Sequence, residues 1–197
     1  MEFIFGALTG IGLSAACGFR VFVPFLILSF AAKMSYVKLS PGFEWIAGDI
    51  ALICFLIATI AEITAYYIPF VDNMLDTLAA PAALIAGTIL TASAVGDIAP
   101  FLKWSLALIA GGGAAAAVQG LTTVTRLTSS VATAGTGNPV VSTAEASGAF
   151  ALSVFSIFIP LAAFIAFVML LLYLVNKKYK AKNSVMLPVA ERPVNNN

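Results

Sequence analysis

The chain has 197 residues, 61% of them hydrophobic and 10% charged, with a net charge of +1 and a mean hydropathy of +1.03. Soluble domains carry about 25% charged residues, so this composition excludes an ordinary water-facing surface. The complete lack of histidine removes the commonest general base and the commonest zinc ligand, and with them any Ser-His-Asp or Cys-His site within this one chain.

The first apolar run extends from Phe3 to about Ala32 and contains Gly18, Arg20 and Pro24. Proline removes a backbone hydrogen bond and clashes one turn back, so the run is expected to kink or break between Gly18 and Pro24. Met1-Glu2 lacks the positive start of a signal peptide. Cys17 and Cys54 both sit in apolar runs without metal-ligand or disulfide spacing and read as thiols in helix packing. Lys33 and Lys38 follow, then the turn Ser40-Pro41-Gly42, with Tyr36, Phe43 and Trp45 suited to a membrane–water interface.

A second span is expected from about Trp45 to Ile68, with Glu62 inside it and Pro69 ending it. Asp72 and Asp76 then occupy a polar link, one helical turn apart, and a third span runs from about Thr77 to Gly96-Asp97. Carboxylates on one face can bind a divalent cation. They equally suit an interface, where Asp76 favours the positive end of the next helix. Pro100 starts the fourth span, which includes a Gly/Ala stretch at 111–117 that allows close helix approach in lipid.

Residues 119–147 are rich in Thr, Ser, Gly and Ala, carry Arg126 and Glu145, and contain the helix-breaking run Gly135-Thr136-Gly137-Asn138-Pro139. This segment either extends its flanking helices beyond the membrane or re-enters it as a hairpin, where irregular backbone must be buried in protein or line a cavity. The last span covers about Gly148 to Val175. The fold class expected is all-α, a polytopic membrane bundle of about five helices of about 20 residues each. Residues 1–176 form the bundle and residues 177–197 a basic, disordered tail. Lys177, Lys178, Lys180 and Lys182 place that tail in the cytoplasm under the positive-inside rule, and with five crossings the N-terminus lies outside. The Lys33/Lys38 link is then inside and the Asp72/Asp76 link outside. Abutting a membrane span, the lysine cluster reads as an anchor, not a nucleic-acid patch.

Arg20, Glu62 and Arg126 are ionisable groups at membrane depth, each costing about 2.5–3.5 kcal/mol to insert at mid-bilayer. Such residues pair or face a wet cavity. Glu62 is expected to pair with one arginine, and Glu145 or Asp72 to satisfy the other. Two readings stand: a solute or ion path lined by these groups, in which Glu62 could also pass a proton, or ion pairs that fix helix register. The Gly-Thr-Gly-Asn-Pro break either presents free amides to an anion, as broken helices do in transporters, or is a tight turn. It is not a phosphate-binding P-loop, since no Gly-Lys-Ser/Thr follows.

Two stretches carry a resemblance. One runs from Glu62-Ile63-Thr64-Ala65-Tyr66-Tyr67-Ile68-Pro69-Phe70-Val71-Asp72 through Asp76 to Pro81 and Gly87. The other runs from Gln119-Gly120 through Arg126, Ser130, Gly137-Asn138-Pro139 and Ser142 to Glu145. With the opening Gly12 to Pro24, they resemble the bacterial membrane family catalogued as domain of unknown function 4126. Members of that family commonly carry a basic residue just before the proline of the third span, where this chain has Ala80. The resemblance brings no established activity. It implies a shared polar centre of Glu62, Asp72, Asp76, Arg126, Asn138 and Glu145, to which the reading of the first span adds Arg20.

The functional expectation is a small solute or ion transporter or channel of the bacterial cytoplasmic membrane. The alternative is an accessory or scaffold subunit of a larger membrane complex. Five spans are few for alternating access, so a homo-oligomer or a membrane-complex partner is expected. An enzyme acting on lipid would have only Asp72 and Asp76 as a close carboxylate pair, so no catalysis, cofactor or metal is expected.

Overall fold

A computed structural model describes residues 2–165, 167–169 and 172, with the backbone alone for Pro69, Phe70, Asp72 and Asn73. The chain divides into two compact units, Met1–Phe164 and Ile165–Asn197. Everything below concerns the first. Of the second, residues 165, 167–169 and 172 are helical, and the expected basic tail at 177–197 lies outside the described residues.

The described residues are helical, without strands. Among the described residues, seven α-helices precede the helical residues that start at Pro160: α1 (Glu2–Cys17), α2 (Phe22–Lys33), α3 (Asp49–Ala65), α4 (Pro69–Ala94), α5 (Pro100–Leu106), α6 (Gly113–Thr133) and α7 (Asn138–Phe158). A 3₁₀ turn at Glu44–Ala47 precedes α3, and a π-helical stretch at Ala107–Gly112 joins α5 to α6 without interruption. Prolines open α4, α5 and α7 in their first turn, where a missing N–H costs nothing.

Among the described residues, three helical stretches are long and apolar enough to cross a membrane: Met74–Ala94, Pro100–Thr133 and Asn138–Phe158. Their outward faces are apolar, with Leu78, Ile85, Ile109 and Phe150 all exposed, as lipid contact requires. The helix α3 adds a similar face of Ile50, Ile53, Ile57 and Ile60.

Directions follow from side-chain contacts. Along α1, Gly6 lies against Ala94, Gly10 against Thr91 and Ser14 against Gly87, so α1 is antiparallel to α4. It is also antiparallel to α7, because Gly12 faces Ser156 while Arg20, just past the end of α1, reaches Ser142. The helix α2 runs the other way. Its start is beside Glu62, Phe25 stacks on Phe55 at 5.1 Å, Ser29 donates to the carbonyl of Ile46, and Lys33 pairs with Asp49. Thus α2 is antiparallel to α3, and Tyr36 beyond its end meets Phe158 at the end of α7. The helices α1 and α2 therefore form a hairpin whose tip is residues 18–21. Its two open ends share one end of the bundle with the C-termini of α4 and α7. The core beneath them is made by Leu13, Cys17, Phe25, Leu28, Ile46, Ala83, Leu90 and Ala115.

Three sequence expectations change. The N-terminus and the Lys33/Lys38 link lie at the same end of the bundle, not at opposite ends, because α2 returns alongside α1. The third helix begins at Pro69, not near Thr77. Tyr66, Tyr67 and Ile68 make the turn that lets it do so, and Asp76 therefore sits about two turns inside a helix. The third expectation concerns residues 119–147, where of the two readings the backbone follows the extension of the flanking helices. They extend α6 to Thr133 and begin α7 at Asn138, with a tight turn between in which Ala134 and Gly135 adopt φ of 51° and 84°.

Candidate functional site

The hairpin tip is wedged against α6. A Cβ placed on Gly18 would lie 2.4 Å from Cβ of Val118 and 2.6 Å from the carbonyl oxygen of Ala115, so only glycine allows this approach. Thr122 adds a long hydrogen bond of 3.4 Å to the Gly18 carbonyl. Docked this way, the tip carries Arg20 into the bundle with 2% of its surface exposed.

Arg20 meets α7. Its Nη2 donates to Oγ of Ser142 at 2.6 Å and to the Ser142 carbonyl at 3.2 Å, and its Nη1 lies 3.1 Å from Oε2 of Glu145. Arg126 approaches the same carboxylate from α6. Its Nε is 3.1 Å from each Glu145 oxygen, and its Nη2 donates to Oε2. One glutamate oxygen therefore bridges two guanidinium groups. Asp76 on α4 stands 3.8 Å from Arg126 Nε, a charge contact longer than a hydrogen bond. Both guanidinium carbons lie over the Tyr66 ring, 3.8 Å from its centroid for Arg20 and 4.3 Å for Arg126, a cation–π arrangement strengthened by desolvation. The charges within this group balance: Arg20 and Arg126 against Glu145 and Asp76. Arg20 Nε is buried and has no hydrogen-bond partner.

Glu62 serves a different purpose from the one expected. Its Oε1 accepts from the Val21 amide at 2.8 Å and its Oε2 from the Phe22 amide at 3.0 Å. The carboxylate caps the N-terminus of α2, satisfying orphan donors and complementing the positive end of the helix dipole. Among the described residues it makes no ion pair within 4 Å of an arginine, because α2 starts beside the end of α3 and its free amides take both carboxylate oxygens.

Arg20, Asp76, Arg126 and Glu145 thus come together, and Glu62 stands beside them on the amide of Val21, the residue after Arg20. Asn138 stands at the turn between α6 and α7. It exchanges hydrogen bonds with Ser130 across the α6–α7 turn, its Nδ2 donating at 3.0 Å. The side chain of Asp72 lies outside the described residues. The sequence reading missed Tyr66 and Ser142. Both stand in the stretches that carry the family resemblance, but neither is ionised at neutral pH, so a search for buried charge passes over them. A second buried polar group lies deeper in the bundle. Ser14 Oγ is 2.6 Å from the Gly87 carbonyl oxygen and 2.8 Å from Thr91 Oγ1.

Among the described residues, no group of three or more His, Cys, Asp or Glu side chains could hold a metal ion. The fold and the site define an all-helical protein of membrane-spanning composition, with a buried ion-paired centre where a helical hairpin meets three long helices. Comparison with curated proteins and with solved structures finds no match. The family profile described as domain of unknown function (DUF4126) matches residues 7–178, and the chain belongs to that family. The match takes in every residue of the centre.

Proposed function

We propose that the chain is a polytopic membrane protein that passes a small solute or ion along a route through its polar centre. In this reading α3, α4, the continuous α5–α6 segment and α7 cross the bilayer. The hairpin α1–α2 enters from one side and returns to it. At about 1.5 Å per residue, the 12 residues of α2 reach about 18 Å, short of a hydrocarbon core about 30 Å thick. Discontinuous helices that end inside the membrane and place charge at their break are how many transporters build a solute site. The observation that carries the reading is Arg20 at such a break, joined to Arg126 and Glu145.

Orientation follows the lysines. The basic residues after the last apolar run support a cytoplasmic C-terminus in a bacterial cytoplasmic membrane, and so small a bundle suits a homo-oligomer. No catalytic role is proposed.

One observation favours the alternative of a scaffold subunit in a larger membrane complex: Glu145 already pairs both arginines, which is what a purely architectural lock would do. Ion flux into liposomes separates the two. The unaltered chain should pass an ion that Arg126→Ala and Arg20→Ala variants do not. Equal leakage from all three, with folding unchanged, would remove the route. The hairpin itself is tested by single cysteines at Glu2 and Lys38 in a chain with Cys17 and Cys54 replaced. A membrane-impermeant maleimide should label both from the same side.

A further inference from the structure

We propose that Arg20 and Arg126 form a binding site for an oxyanion, a carboxylate or phosphate group, and that Glu145 is its internal occupant, displaced when the anion arrives. This deepens the reading of the centre as a solute route and rests on it.

The geometry is that of an anion clamp. Two arginines, 2% and 3% exposed, approach one carboxylate from two separate elements, the hairpin tip and α6. Planar guanidinium forks are suited to bidentate contact with carboxylate or phosphate. Tyr66 lies beneath both of them, so each fork is held in place by its ring contact as well as by its anion. Arg20 also sits directly before the N-terminus of α2, whose amides at Val21 and Phe22 point at Glu62. A helix N-terminus attracts anions. Here the unpartnered, buried Nε of Arg20 marks donor capacity that the chain's own carboxylates leave unused. Glu145 supplies two oxygens to the clamp, whereas a phosphate supplies more acceptors in the same space. Asp76, with a side chain 20% exposed, carries the centre toward the surface. Glu62 keeps its grip on α2 while Glu145 moves, so the tip stays folded during exchange.

The test uses the full chain in phosphatidylcholine nanodiscs, with the thermal unfolding midpoint followed against inorganic phosphate or acetate at constant ionic strength, chloride being the reference. The unaltered chain should show a saturable phosphate-specific rise. Glu145→Gln, which removes the competing charge, should reach half-saturation at a phosphate concentration at least tenfold lower. Glu145→Asp, whose shorter arm withdraws the carboxylate, should fall between them. Arg126→Lys keeps the charge but loses the fork, and should weaken the response about tenfold. In phosphatidylglycerol nanodiscs, a midpoint already raised and no longer sensitive to phosphate would identify a lipid headgroup as the source of the anion. A phosphate response that persists there would identify a free solute.

No phosphate-specific rise in the unaltered chain and in Glu145→Asp overturns the site, even where Glu145→Gln fails to fold. A rise confined to Glu145→Gln also overturns it, as an ion filling a hole the substitution made. Ion flux that phosphate leaves untouched would retain the route and remove this site. Phosphate binding without flux would retain the site and remove the route.

Discussion

The two ends of the α1–α2 hairpin are buried by opposite means. Along the body of α1, the contact with α4 is made by Gly6, Gly10 and Ser14 against Ala94, Thr91 and Gly87. Backbones approach closely there and few side-chain atoms intervene. At the tip, a single close approach remains, Gly18 against Ala115 and Val118 of α6, and the rest of the contact with α6, α7 and the α3–α4 turn is made by long charged side chains, Arg20, Arg126 and Glu145. The difference teaches where each device works. Close packing needs two regular helices with small residues in register. The tip has no regular backbone to offer, its amides and carbonyls need partners, and side chains that reach outward provide them.

Removing Glu145 should break the charged end most severely. Glu145→Ala leaves two buried guanidinium groups facing each other without the carboxylate that bridges them. Loss of one partner from a buried pair costs about 3–5 kcal/mol. The unfolding free energy in detergent should fall by that amount, and proteolysis should appear first at residues 18–21 as the tip releases. A loss below about 1 kcal/mol, the range of exposed pairs, would mean that water already reaches the arginines.

Much of this arrangement was legible in the sequence. Composition and apolar runs placed Pro100 at a helix start, and the proline and glycine run at 135–139 fell at the turn between α6 and α7. Buried charge is expensive enough to stand out, so Arg20, Glu62 and Arg126 were recognisable as groups in need of partners, with Glu145 or Asp72 open as the partner of one arginine. Who pairs with whom was not legible. The pairing of Glu62 with an arginine looked natural by charge alone. It failed because hydropathy does not distinguish a span that crosses from one that turns back, and the turn back is what places α2 amides beside Glu62. Asp76 was assigned to a link for a related reason. A helix that begins with Pro69 and carries Asp72 and Asp76 in its first turns has a polar start that a hydropathy reading assigns to a loop.

The close-packed end should yield less, and selectively. A Cβ on Gly111, in the π-helical stretch, would lie 2.2 Å from Thr91 Oγ1 and 2.7 Å from the Gly87 carbonyl oxygen, disturbing the hydroxyl group that joins α1 to α4. Overpacking of this kind costs about 1–3 kcal/mol, so Gly111→Ala should lower the unfolding midpoint in detergent. Gly113, two residues on, has nothing within 4 Å of such a Cβ. Gly113→Ala should be neutral or stabilise the helix by up to about 1 kcal/mol. If both substitutions behave alike, close approach at Gly111 is not what holds this end.

Glu62 sits between the two devices, since it uses a charge to satisfy backbone. Glu62→Ala frees the Val21 and Phe22 amides and should cost about 0.5–2 kcal/mol, the range for a lost helix cap. Glu62→Gln retains one oxygen acceptor and should cost less. Amide hydrogen exchange locates the effect: it should quicken at Val21 and Phe22 in Glu62→Ala, with little change at Ser142 and Glu145. A loss as large as that of Glu145→Ala, or exchange quickening across the start of α7, would make Glu62 a full member of the charged centre. The tip would then be held by one network of charge, and capping would be no separate means of burial.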